Sequence, residues 1–87
     1  MIRETSLDAY RALQDHLGEM QQKVLKVIVE HSSPLTDREI AQELGFADPN
    51  KVRPRRFELM QAGLIREAGE RLCTVSRRRA LTWRVLK

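Results

Sequence analysis

The stretch LTDREIAQELGFADPNKVRPRRFELMQAGLI, Leu35 to Ile65, sets two helices around a tight connection. Its start is the strongest local signal in the chain. Thr36-Asp37-Arg38-Glu39 is a capping box: the Thr36 hydroxyl accepts from the Glu39 backbone N–H, and the Glu39 side chain reaches back to the N–H of Thr36. Leu35 before the cap and Ile40 after it form a hydrophobic staple, which fixes the angle of entry. Ile40, Ala41 and Leu44 give this helix, 36–44, a buried side about two turns long. Gly45 follows as a left-handed C-cap. Asp48 then caps a second helix, 48–62, with Pro49 in the first turn, where a missing N–H is no loss. Val52, Leu59, Met60 and Gly63 keep its inner face. Pro54 conflicts with an unbroken helix because its ring crowds the carbonyl of Asn50. Either the regular helix starts near Arg53 or it bends there.

Upstream, Met20, Val24, Val27, Ile28 and His31 follow the steps of an amphipathic stripe, widened by Leu25 and Val29. They predict a central core helix over 19–31, ended by Ser32-Ser33-Pro34. A shorter helix is expected over 6–17, capped by Ser6, with Leu7, Tyr10, Leu13 and Leu17 on one side. Downstream of Gly63 the period changes from near 3.6 to near 2. Leu81, Trp83 and Val85 alternate with Ala80, Thr82 and Arg84, as in a half-buried strand. Leu64-Ile65 and Leu72-Cys73-Thr74-Val75 supply its partner, with a bulge at Gly69-Glu70. Ser76-Arg77-Arg78-Arg79 is left as the tip of a hairpin over 64–86.

At 87 residues the chain is expected to be one domain, 1–87. Charge is unevenly spread along it. Residues 1–50 carry a net of −4 and residues 51–87 a net of +8. Such segregation suits a face made for a polyanion. Cys73 is the only cysteine, so no internal disulfide forms, and it has no metal-ligand spacing to His16 or His31. No apolar run approaches the ~20 residues of a membrane span. A reducing cytoplasm is the expected setting, nucleoid-associated or in a host cell if phage-encoded, without membrane, metal or cofactor. Catalysis finds no support: there is no Gly-rich phosphate loop and no Ser/His/Asp order. Asp37, Glu39 and Glu43 share a helix and are accounted for by capping and solvation.

The order is helix, helix, short capped helix, tight turn, helix, hairpin. From Leu35 to Ile65 the chain resembles the helix-turn-helix of winged-helix transcription regulators. The resemblance lies in the first helix ending at Leu44-Gly45, Val52 inside the second, Leu59 seven on, and the closing Gly63-Leu64-Ile65. The hairpin LIREAGERLCTVSRRRALTWRVL resembles the wing, so the likeness spans about residues 20–86. It implies an α+β, mostly α, winged helix-turn-helix of three to four helices and a C-terminal wing, of the small bacterial or phage kind.

Function follows from where the charge lies. Asn50, Lys51, Arg53, Arg55 and Arg56 occupy the entry of the second helix, which in this architecture faces the major groove. Asn50, Arg53 and Lys51 point away from the buried face and are the candidate base readers. Arg56, and less so Arg55, has a second reading as a snorkelling side chain paired with Glu58 or a carboxylate at the core edge. Phe57 reads as packing against the first helices rather than stacking on a base. Arg77, Arg78 and Arg79 fan out at the wing tip, where a phosphate or minor-groove contact would relieve their mutual repulsion; a solvated loop tip is the other reading. Arg38 contacts a phosphate or a neighbouring acid. The expected function is sequence-specific double-stranded DNA binding, as a small transcription regulator or phage accessory factor. A homodimer or protein partner through residues 1–17 would add affinity. A protein-interaction module in a larger complex is the other class of function open to this fold.

Overall fold

A computed structural model of the chain describes residues 17–86. The helix expected over 6–17 and the contact assigned to 1–17 lie outside the described residues, Leu17 excepted. Three α-helices precede a two-stranded antiparallel hairpin: α1 Glu19–Glu30, α2 Asp37–Glu43, α3 Arg53–Gln61, β1 Ile65–Leu72 and β2 Arg79–Val85.

α1 places Val24, Leu25, Val27 and Ile28 at the centre of the core. It ends at His31, whose Nδ1 lies 2.8 Å from the Val27 carbonyl oxygen and whose Nε2 lies 2.8 Å from Glu43. α2 begins as its sequence requires. Glu39 N–H donates to Thr36 Oγ1 at 3.2 Å, and Thr36 N–H donates to Glu39 Oε1 at 3.0 Å. Leu35 and Ile40 are both buried in the same core. Gly45 takes φ +80° after the helix, so the left-handed cap is present.

The segment expected as one helix over 48–62 is split. Asp48 accepts from Asn50 N–H at 2.9 Å and caps a single 3₁₀ turn, Pro49–Lys51. The regular helix starts at Arg53, which puts Pro54 in its first turn, where no N–H is needed. Of the two outcomes that Pro54 allowed, the chain takes the late start. Val52 and Leu59, both fully buried, hold this unit against α1 and α2.

The hairpin pairs Ile65 with Val85 at its base and Leu72 with Arg79 at its top. The register shifts between Glu67 and Glu70, where Gly69 adopts φ +91° and its carbonyl accepts from Thr82 Oγ1 at 2.8 Å. The bulge therefore forms where it was expected, with a consequence for facing. Adjacent Thr82 and Trp83 are both buried, while Leu81 is 41% exposed. Leu81 still lines the same groove as Trp83, but Thr82, expected on the polar side, is buried where its hydroxyl meets the Gly69 carbonyl. The strand limits also differ from expectation. Cys73, Thr74 and Val75 lie in the turn rather than the strand, and Arg79 belongs to β2 rather than the tip.

Two contacts sew the hairpin to the helices. Leu35 and Trp83 exchange backbone hydrogen bonds, Leu35 N–H to Trp83 O at 3.2 Å and Trp83 N–H to Leu35 O at 2.9 Å. Glu39 makes the second. It is 6% exposed, not solvated as its sequence suggested. Arg71 Nη1 donates to Glu39 Oε2 at 2.8 Å, and Arg71 Nη2 donates to Oε1. Thr74 donates to Oε2 through both N–H and hydroxyl, at 2.9 Å each. Arg71 Nη2 also reaches the Pro34 carbonyl at 2.7 Å. Burial pushes the Glu39 carboxyl up, but the hydrogen bonds from Arg71, Thr74 and Thr36 outweigh it and hold the pKa down to about 2.

A depressed carboxyl stabilises the fold above its ordinary pKa, and that stabilisation is lost as pH falls toward about 2. The urea midpoint is expected to drop between about pH 5 and pH 2, and Glu39→Gln to flatten that drop while removing roughly 3 kcal/mol at neutral pH. Gly69→Ala meets open space but must hold the positive φ, so a cost of about 1 kcal/mol in the same denaturation is expected.

Candidate nucleic-acid interface

Capping α2 at Thr36 brings Asp37 and Arg38 to the surface beside the start of α3. The Glu39 clamp brings the hairpin turn to the same place. Between these three pieces lies an open groove of about 640 Å³. Its walls carry Arg38 from α2, Arg53 and Arg56 from α3, and Arg78 and Arg79 from the hairpin. Ala80, Leu81, Cys73 and Trp83 give it an apolar part. Asp37 is the single carboxylate among the lining residues.

The five arginines are not equivalent. Arg56 is committed within the fold. Its Nε and Nη2 donate to the two oxygens of Asp37 at 3.0 Å each, and its guanidinium carbon lies 3.9 Å from the Trp83 ring centroid. Both side chains of the pair are 14% exposed. The partner at the core edge is thus Asp37 of α2, not Glu58. Arg53 donates through Nη1 to Asn50 Oδ1 at 2.8 Å, and its Nε lies 3.7 Å from Asp37. Arg79 meets Glu70 at 3.5 Å in an exposed pair, whose net worth is small. Arg38 and Arg78 are exposed, and neither side chain has a hydrogen-bond or ion-pair partner among the described residues.

Four residues of the expected set do not line the groove. Asn50 holds Arg53 from the 3₁₀ turn. Lys51 sits 5.5 Å above the Phe46 ring. Arg55 pairs with Glu58, Nη2 donating to Oε2 at 3.1 Å and Nε lying 2.9 Å from Oε1. Glu58 also accepts from Gln21 Nε2 at 2.7 Å, so Arg55 belongs to a link between α3 and α1. Arg77 takes φ +63°, the one non-glycine residue with positive φ among the described residues, and its N–H returns to Cys73 O at 2.9 Å. Cys73 N–H donates to Arg78 O at 2.8 Å, which closes the turn and turns Arg77 and Arg78 outward. Phe57, expected to pack on the first helices, is 47% exposed on α3.

Sequence reasoning missed Asp37 and Trp83 as parts of this face. Asp37 is 19 residues from Arg56, a separation that no local pattern links. Cys73 is buried as expected. Burial raises its thiol pKa, and hydrogen bonds from Ser76, Thr36 and Val75 more than reverse this, giving a lowered value. No group of three or more His, Cys, Asp or Glu among the described residues is arranged to hold a metal ion. No helix among them is long and apolar enough to cross a membrane.

Arg56→Lys keeps the charge but loses the two-pronged bond and the flat stack, at an expected cost of about 1–2 kcal/mol. Arg56→Ala leaves Asp37 with only the longer contact to Arg53 and is expected to cost roughly 3 kcal/mol, read from urea midpoints at neutral pH.

No protein-family model matches this sequence, and a search of curated proteins returns no match to it.

Proposed function

We propose that the chain binds double-stranded DNA in a sequence-specific way, as a winged helix-turn-helix used in transcription regulation or by a phage. The observation that carries this reading is the convergence of Arg38, Arg53, Arg56, Arg78 and Arg79 on one groove. They come from three segments far apart in sequence, and only one carboxylate shares their space. Asp37 and Glu70 compensate Arg53, Arg56 and Arg79 in part, but Arg38 and Arg78 have no acid partner among the described residues, and a polyanion would collect both at once. Arg38 and Arg78 are the freest of the five and are assigned to phosphates. Arg53, with Asn50 beside it, leads the helix that would face base edges, where Arg suits guanine and Asn suits adenine. Arg77 and Arg78, on the turn, suit an adjoining backbone or minor groove. Leu81, half exposed among the arginines, offers an apolar contact to a sugar or a thymine methyl.

Binding measured against salt tests this. If several phosphates are neutralised, log K is expected to fall with log salt at a slope of roughly −4 to −6. Arg38→Ala with Arg78→Ala should make that slope shallower by about two and weaken binding about 10–100-fold at moderate salt. No DNA binding at low salt, or an unchanged slope in the double variant, would overturn the proposal. Selection from a random duplex pool would then give the site, and symmetry in the recovered motif would report a dimer.

A further inference from the structure

Asp37 stands in the middle of the arginines and opposes what they do. Both its oxygens face Arg56 at 3.0 Å, and Oδ2 also lies 3.7 Å from Arg53 Nε. A carboxylate and a phosphate present a guanidinium with the same pair of oxygens. Asp37 therefore takes, on Arg56, the position a backbone phosphate would otherwise take. Arg56 has little freedom to leave, because its guanidinium also stacks on Trp83 at 3.9 Å. A phosphate that approaches Arg53 meets the Asp37 charge as well. Such a repulsive element lowers attraction for any phosphate, whatever the sequence that carries it. It costs less where a base edge offers an amino group, since that group donates to the carboxylate and the backbone does not.

Resting on the DNA-binding reading above, we propose that Asp37 is a specificity-determining residue, an internal stand-in for a phosphate that withholds Arg56 and Arg53 from the DNA backbone and so suppresses sequence-independent binding. Its effect is to keep the groove selective despite its charge. The free arginines, Arg38 and Arg78, give attraction, and Asp37 limits how much of it an arbitrary duplex receives.

The test uses the full chain and a short duplex of mixed sequence. Asp37→Asn is expected to bind this duplex about tenfold more tightly than the unaltered protein, with a salt slope steeper by about one phosphate. Asp37→Glu keeps the charge and is expected to retain the original affinity and slope. Circular dichroism melts establish that each variant is folded. A second measurement needs no variant: with the arginines labelled by ¹⁵N, the Nε–H resonance of Arg56 should stay in place when the mixed duplex is added. Resonances of Arg38 and Arg78 should move. A folded Asp37→Asn protein with unchanged affinity and slope overturns the inference, as does an Arg56 resonance that moves with the others. The Arg56 resonance decides the matter if Asp37→Asn does not fold. Absence of any duplex binding by the unaltered protein at low salt would instead remove the DNA-binding reading itself.

Discussion

The Glu39 carboxylate is the constraint on which the arrangement of this small protein depends. A hairpin of two strands has little surface with which to hold a position of its own. Here it is tied by the Leu35–Trp83 backbone pair and the Glu39 cluster, with the Thr36–Cys73 contact and the Arg56–Trp83 stack beside them. Glu39 completes the capping box of α2 and, with its remaining acceptor sites, takes Arg71 and Thr74 from the hairpin. One carboxylate thus sets both where α2 begins and where the hairpin turn lies. Its charge is buried, and it remains ionised because every donor around it is turned inward. Those donors hold the hairpin turn beside α2, where it forms one wall of the groove.

Much of the frame was legible in the sequence because it rests on short-range chemistry. The capping box at Thr36, the staple of Leu35 and Ile40, the Gly45 cap and the Asp48-Pro49 entry each involve residues within a few positions of one another. Pro54 narrowed its helix to two forms, and the 3₁₀ turn before Arg53 is one of them. The hairpin and its bulge were read from period and glycine, but the strand ends were not. The bulge at Gly69 offers its carbonyl to the buried Thr82, while Leu81 is left exposed at the groove, and a period of two carries no record of either. Glu39 was read as a cap and no more, since its further partners lie 32 and 35 residues away.

The charged residues divide in the same way. Local charge density singled out the basic segment, and four of its arginines meet Arg38 of the acidic half at the groove. What density could not supply is which arginines are spent on the fold. Arg56 closes a contact to α2 and covers Trp83, while Arg55 ties α3 to α1 through Glu58. Arg38 and Arg78 remain unpaired among the described residues. The difference is geometric: each committed arginine has a carboxylate within reach, Asp37 of α2 for Arg56 and Glu58 of its own helix for Arg55, and the free ones have none among the described residues.

The turn of the hairpin has a rooted base and an unrooted end. Cys73 and Thr74 are gripped by Thr36 and Glu39, whereas Val75, Arg77 and Arg78 point to solvent and contribute nothing to the core. Changes to the exposed side chains of Arg77 and Arg78 therefore remove no contact to the packed interior. Such a tip is a replaceable module: its outward side chains can be exchanged by mutation without disturbing the scaffold that carries them.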